Sequence, residues 1–247
     1  MRLLIAIPVF NERKYVQQVL SKVLKIHGEV VLIDDGSTDG TAELLAARQD
    51  IHLIRHDRNM GYGQSLIDGF NYADQCGYDW VITMDCDEQH EPERIVDFIK
   101  AIETDEWDII SGSRYLKQMS GDDLPPVDRR TINAKITDLI NETFGWNLTD
   151  SFCGFKAHRV SAMRNLHLTE TGYAFPMQLW PQVFRGGLRV TEIPVRLIYH
   201  DLTRHFGGVL DDADRRLKHY LDVFHEELTA DHTADEAMVA GHSFCCC

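Results

Sequence analysis

Three carboxylates and an amide follow the apolar run WVITM within five residues. They are Asp85, Asp87, Glu88 and Gln89, in the stretch DCDEQHEPE. Because side chains at positions i and i+2 of an extended segment face the same side, Asp85 and Asp87 can converge on one point. Carboxylate oxygens bind Mg²⁺ and Mn²⁺, which neutralise the charge that develops on a diphosphate leaving group. The spacing indicates a divalent-cation site, with a solvated acidic loop as the alternative.

A second acidic pair, Asp34 and Asp35, closes an earlier apolar run, VVLI, ahead of the turn GSTDGT. A dinucleotide-binding fold would instead need a G-x-G-x-x-G turn directly after its first strand. The first apolar run leads into PVFNE, which has no glycine, and GYG at 61–63 follows the third run without the rest of the fingerprint. The sequence therefore argues against a dinucleotide-dependent dehydrogenase.

Strand and helix patterns alternate through the first half of the chain and must position these acids. We predict strands at 3–9, 29–35, 51–56, 79–85 and 108–115, and helices at 11–26, 40–49, 61–77 and 92–103. Such alternation is typical of an α/β protein with a mostly parallel sheet and helices on both faces. Ligands then bind beyond the carboxyl ends of the strands, where both acidic pairs lie.

The alternation stops after residue 118. We predict a mobile loop at 119–126 (MSGDDLPP), a helix at 129–145, an irregular segment at 149–159, a late strand at 188–200 and a helix at 211–228. The chain after Ala230 has little apolar content and ends in Cys245–Cys247, so we expect a loose, oxidisable tail there.

Composition limits the possible partners. The 247 residues carry a formal net charge of −14, from 25 basic and 39 acidic side chains, which argues against general nucleic-acid binding and disfavours broad adhesion to anionic lipid. No apolar run approaches the roughly 20 residues that span a bilayer, and the N-terminal run is too short for a signal peptide. We expect a cytoplasmic protein that is peripheral to the membrane at most.

Six collinear stretches of the chain resemble glycosyltransferase family 2. They are IPVFNE, VVLIDDGSTDGT, NMGYGQSLIDGF, DCDEQHEPE, SGSRY and TDSFCGFKAHR, which together span roughly residues 1–200. Within that family they resemble the branch of dolichyl-phosphate mannose synthases and bacterial polyprenyl-phosphate glycosyltransferases. The resemblance implies a GT-A fold at 1–210, with a nucleotide-sugar-binding half at 1–115 and an acceptor half at 116–210. A C-terminal helix and tail follow at 211–247.

The resemblance also implies a donor pocket. Pro8, Phe10 and Glu12 match the family's wall around the nucleotide base and ribose, and Phe10 keeps an aromatic face where many members have Tyr. Asp35 matches the acid that contacts the base, and Ile33 is expected to line the same pocket.

The acidic turn has a counterpart in the family as well. Asp85, Cys86 and Asp87 match a D-A-D turn, with Cys in place of Ala, and join the donor-binding set. The implied ligands of Mg²⁺ or Mn²⁺ are Asp85, Asp87 and Gln89, with Asp87 the most direct. Arg114, in SRY, matches an arginine near the diphosphate and the acceptor.

A basic cluster marks the acceptor side. Arg129 and Arg130 are followed one turn later by Lys135, and guanidinium groups make bidentate bonds to phosphoryl oxygens. A solvated helix face is the alternative interpretation, but the match to an arginine pair in the family's acceptor loop favours a phosphate-binding role. Arg114 and Arg204 complete the predicted phosphate-binding set.

Asp150, in TDSFCGF, completes the predicted catalytic set with Asp87 and Arg114. A hydroxyl acceptor would need a general base, whereas a phosphate monoester is already ionised near neutral pH. We favour Asp150 as a polar anchor of the active-site floor, with a general base as the alternative.

The sequence departs from the mannose-synthase pattern downstream of the late strand. His200 stands where an Arg is expected, and Arg204 with His205 lies near an expected Ser-Lys pair. This departure leaves the donor open.

Together these observations predict an inverting, metal-dependent glycosyltransferase. The expected donor is GDP-mannose or UDP-glucose, and the expected acceptor is a polyprenyl phosphate at the membrane surface. Two alternatives stay open, namely a family 2 transferase acting on a soluble hydroxyl or polysaccharide acceptor and, more remotely, a non-enzymatic nucleotide-sugar sensor.

Overall fold

The computed structural model describes residues 1–199 and 206–230. Within them seven strands form one sheet in the order β3-β2-β1-β4-β6-β5-β7. The strands are β1 (Leu3–Val9), β2 (Val30–Asp34), β3 (His52–Arg55), β4 (Trp80–Thr83), β5 (Ile109–Ser113), β6 (Lys156–Arg159) and β7 (Val190–Pro194). All neighbouring strands are parallel except β6, which runs antiparallel to both β4 and β5.

Helices cover both faces of this sheet. They are α1 (Val16–Val23), α2 (Thr41–Ala46), α3 (Tyr62–Gln75), α4 (Ile95–Glu103), α5 (Val127–Phe144), α6 (Val160–Met163), α7 (Phe175–Arg185) and α8 (Ala213–Thr229). Short 3₁₀ turns at Pro92–Arg94 and Gly208–Asp211 precede α4 and α8. None of the helices described is both long enough and apolar enough to cross a bilayer.

Two apolar clusters hold the layers together. Along β1, Leu4 and Ala6 enter one cluster, which also contains residues of α3, α5, α7 and α8. Leu3, Ile5 and Ile7 enter the other, against α1, α2 and α4. Side chains alternate along a strand, so this division shows that β1 is buried on both faces.

The first half of the sheet matches the sequence prediction, whereas the second half required two corrections. The stretch 149–159, predicted to be irregular, ends in β6. Its strand residues, KAHR, show no apolar alternation, and they are extended because β4 and β5 pair with them on both sides. The late strand predicted at 188–200 is shorter and ends at Pro194, opposite Ser113, where its partner β5 also ends.

Helix α7 was not predicted from the sequence. Pro176 lies in its first turn and Pro181 lies inside it, and a proline removes a backbone donor, so the helical pattern is interrupted. Packing of buried residues such as Trp180 stabilises the helix instead.

The loop predicted to be mobile, 119–126, is bonded to the segment that follows β7. Asp123 N–H donates to the carbonyl of Leu197 at 2.8 Å. Asp122 accepts from the backbone N–H of Leu197 at 3.1 Å, and Asp123 accepts from that of Tyr199 at 2.8 Å. These bonds give the loop a defined position beside the carboxyl ends of the strands.

Candidate active site

A cleft of about 560 Å³ lies beyond the carboxyl ends of the strands. The predicted site residues that line it are Pro8, Phe10, Glu12, Asp35, Asp85, Cys86, Asp87, Gln89, Arg114 and Arg129. Ile33 is instead fully buried in the core, Asp150 is buried beneath the cleft, and Arg130 and Lys135 are exposed outside its lining. Arg204, His200 and His205 lie outside the described residues.

The acidic turn after β4 is shaped by its neighbours. Tyr62 donates its hydroxyl to Asp85 Oδ1 at 2.9 Å, and the backbone N–H of Asp85 donates to His90 Nδ1 at 2.9 Å. Asp87 Oδ1 accepts from Gln89 N–H at 3.1 Å. A Cβ added to Gly154 would lie 2.6 Å from the Tyr62 hydroxyl and 2.7 Å from Asp85 Oδ2, so a side chain at this position would displace the hydrogen-bonded pair.

His90 supports the turn as a neutral ring. Burial lowers the pKa of His90 to about 4. Because Nδ1 accepts the N–H of Asp85, the neutral ring carries its proton on Nε2. The ring stacks on Phe155 with centroids 5.1 Å apart, which fixes its orientation.

The donor atoms around this turn fit a cation that arrives with a phosphate ligand. Asp85, Asp87 and Gln89 present two carboxylates and an amide to one cleft. Within the described part of the chain no three His, Cys, Asp or Glu side chains converge as a complete ligand set. Mg²⁺ is commonly held by one or two carboxylates together with substrate phosphates and water, and the groups present here match that mode of binding.

Asp35 lies at the other side of the cleft in a network that the sequence did not reveal. Its carboxylate accepts from the N–H groups of Met60 at 2.6 Å and Gly61 at 2.9 Å, and from His56 Nδ1 at 2.7 Å. The second ring nitrogen of His56 lies 2.9 Å from Asp68 Oδ2. His56 and Asp68 are 12 positions apart, and only the packing of α3 beside β3 brings them together.

The pKa values of this network favour an ion pair. Hydrogen bonds to Asp35 and then to Asp68 raise the pKa of His56 to about 9, against the effect of burial. Burial acts to raise the pKa of Asp35, but the hydrogen bonds from His56, Met60 and Gly61 outweigh it and lower that pKa. At neutral pH a charged imidazolium therefore bridges two carboxylates.

Aromatic side chains form one wall of the cleft. Phe10 is exposed on the cleft surface, where a flat ligand could stack on it. Tyr62 stacks on Tyr173 with centroids 5.7 Å apart, and Tyr173 meets Phe206 edge-on at 5.2 Å. These contacts join α3 to two loops that are distant in sequence, so helical periodicity did not indicate them.

Arg114 and Asp150 form a buried pair at the cleft floor. Arg114 donates from Nε at 2.6 Å and from its backbone N–H at 3.1 Å to Asp150 Oδ2, and from Nη2 at 2.9 Å to Oδ1. Asn133 Nδ2 and the N–H of Phe152 also donate to Oδ1, at 2.8 and 3.2 Å. Asp150 is fully buried, and its carboxylate is occupied by these donors.

Electrostatics keep Asp150 ionised. Burial acts to raise its pKa, but the charge and hydrogen bonds of Arg114 outweigh burial and lower it to about 2. A carboxylate that has this pKa and whose two oxygens both accept hydrogen bonds from the protein is a poor proton acceptor. The geometry favours the anchor role over the general base.

Two basic side chains enter the cleft from the helical side. Arg129 lies 4.8 Å from the centre of the Phe206 ring, and Arg216 lies 4.5 Å from the same centre. Arg216 also forms an ion pair with Asp128 at 2.5 Å. Its side chain is only 2% exposed, although the sequence of its helix is rich in charged residues. Arg216 and Tyr220 of α8 both line the cleft, and neither was predicted from the sequence to do so.

Arg130 has a different environment from its neighbour Arg129. Its guanidinium lies 3.8 Å from the centre of the Tyr115 ring, and the side chain is exposed. Of the predicted pair, Arg129 therefore lines the cleft and Arg130 lies at its outer side.

Known proteins share both the sequence pattern and the fold. The family model described as "Glycosyl transferase family 2" matches residues 4–166. An undecaprenyl-phosphate mannosyltransferase of Micrococcus luteus is 28% identical over 86% of this chain and 91% of its own. A polyprenol monophosphomannose synthase of Mycolicibacterium smegmatis is 27% identical over 81% of this chain and 79% of its own.

The solved structures extend the comparison to the fold. Glucosyl-3-phosphoglycerate synthase from Mycobacterium tuberculosis, solved with Mn²⁺, UDP-glucose and phosphoglyceric acid, has a TM-score of 0.70 at 15% identity. The match covers 94% of this chain and 81% of that one. A likeness at this identity shows the fold, which is GT-A as predicted.

Proposed function

This chain belongs to glycosyl transferase family 2, and from that premise we propose that it transfers a hexose from a nucleoside-diphosphate sugar to a polyprenyl phosphate with inversion. The similar proteins named for undecaprenyl-phosphate and polyprenol acceptors support this choice of acceptor. Mannose is the first candidate for the sugar for the same reason, with GDP-mannose ahead of UDP-glucose as donor.

The observation that carries the proposal is the presence of both signs of charge in one cleft. The cleft is lined by four carboxylates, Glu12, Asp35, Asp85 and Asp87, and by three arginines, Arg114, Arg129 and Arg216. It therefore holds groups suited to a metal ion together with groups suited to a phosphate. Guanidinium groups are well suited to bind phosphoryl oxygens through charge-assisted hydrogen bonds.

The donor end would bind the nucleotide as follows. Phe10 and Pro8 offer an aromatic and an apolar face to the base. Asp35 is oriented by His56 and by two backbone N–H groups, and a carboxylate held in this way can accept one more hydrogen bond from the base. Asp85, Asp87 and Gln89 would hold Mg²⁺ or Mn²⁺, which supplies neutralisation of the diphosphate when bound.

The acceptor end requires no proton removal. A phosphate monoester has a second pKa near 6 and is mostly dianionic at neutral pH. Its oxygen can attack the anomeric carbon from the face opposite the diphosphate, which inverts that centre. Arg129 and Arg216 would orient the acceptor phosphate, and Arg114, fixed by Asp150, would face the reacting oxygens.

A soluble hydroxyl acceptor fits the cleft less well. Such an acceptor needs a general base, and the acid that sequence analysis offered for this role, Asp150, is bonded to Arg114 and Asn133 instead. Asp85, Asp87 and Arg114 are all retained in the cleft, which counts against a non-enzymatic nucleotide-sugar sensor.

The test is transfer of labelled sugar from GDP-mannose, UDP-glucose and other donors to a short-chain polyprenyl phosphate in detergent. We expect a lipid-linked product with one donor, dependent on Mg²⁺ or Mn²⁺ and abolished by chelator. Transfer to a soluble hydroxyl compound, with no lipid-linked product from any donor, would overturn the acceptor. Full turnover in excess chelator would overturn the metal.

A further inference from the structure

Four aliphatic side chains project into solvent around one end of the cleft. Leu124 is 88% exposed, Val127 83%, Val209 63% and Leu116 42%. Single exposed aliphatic residues are ordinary on protein surfaces, but a group of them at the mouth of a binding cleft calls for an explanation. We refer to Leu116, Leu124, Val127 and Val209 as the aliphatic lip.

One guanidinium brings two members of the lip together. Arg216 donates from Nη2 to Asp128, the residue after Val127, and from Nη1 to the carbonyl of Leu210, the residue after Val209. The start of α5 and the turn before α8 therefore meet at this arginine. Arg216 itself lines the cleft, so the residues that follow both valines are bonded to a side chain of the cleft wall.

The other two members are held beside the same edge. Leu124 follows Asp123, whose backbone N–H donates to Leu197 and whose carboxylate accepts from Tyr199. Tyr199 lines the cleft. Leu116 follows Tyr115, on which Arg130 of α5 stacks at 3.8 Å.

Charges of both signs surround the lip. Its carboxylates are bonded within the protein: Asp122 and Asp123 accept backbone N–H groups, Asp128 pairs with Arg216, and Asp211 and Asp212, beside Val209, accept backbone N–H groups of their own turn. Two cations, Lys117 and Arg130, are exposed beside it. The lip thus combines aliphatic tips with two exposed cations whose charge is not used by the neighbouring carboxylates in any ion pair described.

We infer that the aliphatic lip contacts a lipid bilayer and holds the mouth of the cleft against the headgroup layer. This inference rests on the proposed function, because a polyprenyl phosphate keeps its tail in the bilayer while its phosphate must reach Arg129 and Arg216. Aliphatic tips enter the boundary between headgroups and acyl chains, and the adjacent cations attract anionic lipid. With so few side chains, the contact is weak and reversible.

The experiment measures binding to vesicles of phosphatidylcholine and phosphatidylglycerol in equal parts, by flotation of the full chain. The lip variant is Leu124→Asp with Val127→Asp. The matched control is Val96→Asp with Leu228→Asp, which places the same charges on exposed aliphatic positions of α4 and at the far end of α8. Seventeen residues make α8 roughly 25 Å long, so Leu228 is far from the lip.

We expect the lip variant to bind these vesicles at least tenfold more weakly than the wild type, and the control variant to bind as the wild type does. Transfer to a long-chain polyprenyl phosphate embedded in the vesicles should fall by a similar factor in the lip variant. Transfer to a short-chain acceptor in solution should be unchanged, because neither substituted residue lines the cleft. Lys117→Gln should weaken binding to these vesicles more than to vesicles of pure phosphatidylcholine.

Several outcomes would overturn the inference. Equal vesicle binding by the wild type and the lip variant would do so. A lip variant that binds vesicles as the wild type does, but sediments differently, would also overturn the inference, since the lip would then be an interface between copies of this chain. If the wild type fails to glycosylate even the short-chain acceptor, the proposed acceptor is wrong, and the flotation result still decides the lip by itself.

Discussion

At the donor end of the cleft, the acids follow directly on strands, and much of their support is local. Asp87 accepts from Gln89, two residues on, and the N–H of Asp85 donates to His90, five residues on. At the proposed acceptor end, Arg216 donates to Asp128, which is 88 positions away in the sequence, and Arg114 donates to Asp150, which is 36 positions away. The positions of the acids at the proposed donor end can therefore be predicted from short motifs, although Asp35 itself is held by His56, Met60 and Gly61, 21 to 26 positions away. The proposed acceptor end forms only when the helical side of the fold has packed.

This contrast predicts that the acceptor half is more sensitive to loss of a single buried partner. Asp150→Ala leaves the buried guanidinium of Arg114 without its partner, and breaking a buried ion pair in this way costs about 3–5 kcal/mol. Denaturant unfolding should show a loss of this size. An exposed pair in the same chain, Lys218 with Asp222, provides the control, and Asp222→Ala should change stability by less than about 1 kcal/mol.

The conservative change at the same position separates the anchor from the general base. Asp150→Asn keeps hydrogen-bonding atoms toward Arg114 and Asn133 and should retain measurable turnover. Loss of all turnover in a folded Asp150→Asn protein would instead favour the interpretation that Asp150 is a general base.

At the donor end the effect should fall on catalysis rather than on the fold. Asp87 lies in the cleft and is half-buried, so Asp87→Ala should fold normally while kcat drops by about a hundredfold or more, the range seen when a group that stabilises transition-state charge is removed. Steady-state kinetics with saturating metal measures this drop. Glu88→Gln, in the same turn but outside the cleft lining, is the matched control and should stay near wild-type activity.

The two neighbouring arginines of α5 offer a finer comparison. Arg129 lines the cleft and Arg130 lies outside it. Loss of one charge-assisted hydrogen bond costs about 1.5–3 kcal/mol, so Arg129→Ala should raise the KM for a short-chain acceptor by about tenfold or more and leave the KM for the donor nearly unchanged. Arg130→Ala should have the smaller effect. An equal or larger effect from Arg130 would place the acceptor phosphate nearer to Tyr115 than we propose.

A further expected effect is a pH dependence of stability at the Asp35 network. The folded pKa of His56, about 9, lies above its ordinary value of 6.5, so the protonated form binds its partners in the folded state. Its stabilising contribution is complete below pH 6.5 and is lost as the pH rises through about 9. Unfolding measured across that window should show stability falling with pH in the wild type.

His56→Gln should flatten this dependence, and His52→Gln, on the strand that ends just before His56, should leave it in place. If the wild type and His56→Gln lose stability in parallel between pH 6.5 and 9, another group is responsible.

The strands before residue 115 and the acids at their ends could be predicted because they depend on local patterns. Apolar alternation and helical spacing are read within a window of a few residues, and Asp35, Asp85 and Asp87 needed only their position after a strand. The family motifs added the nucleotide wall and Arg114. This much of the fold and of the donor end is a property of the sequence by itself.

Tertiary structure decided the features whose partners are far apart in the chain. The strand KAHR is extended because two neighbours pair with it, and Arg216 is buried because α5 and the turn before α8 close around it. Likewise Arg114 and Asn133 converge on Asp150, and these contacts favour the anchor role that we propose over a general base. A residue's type and spacing state which bonds it can make, but burial and the arrival of distant partners determine which of those bonds form.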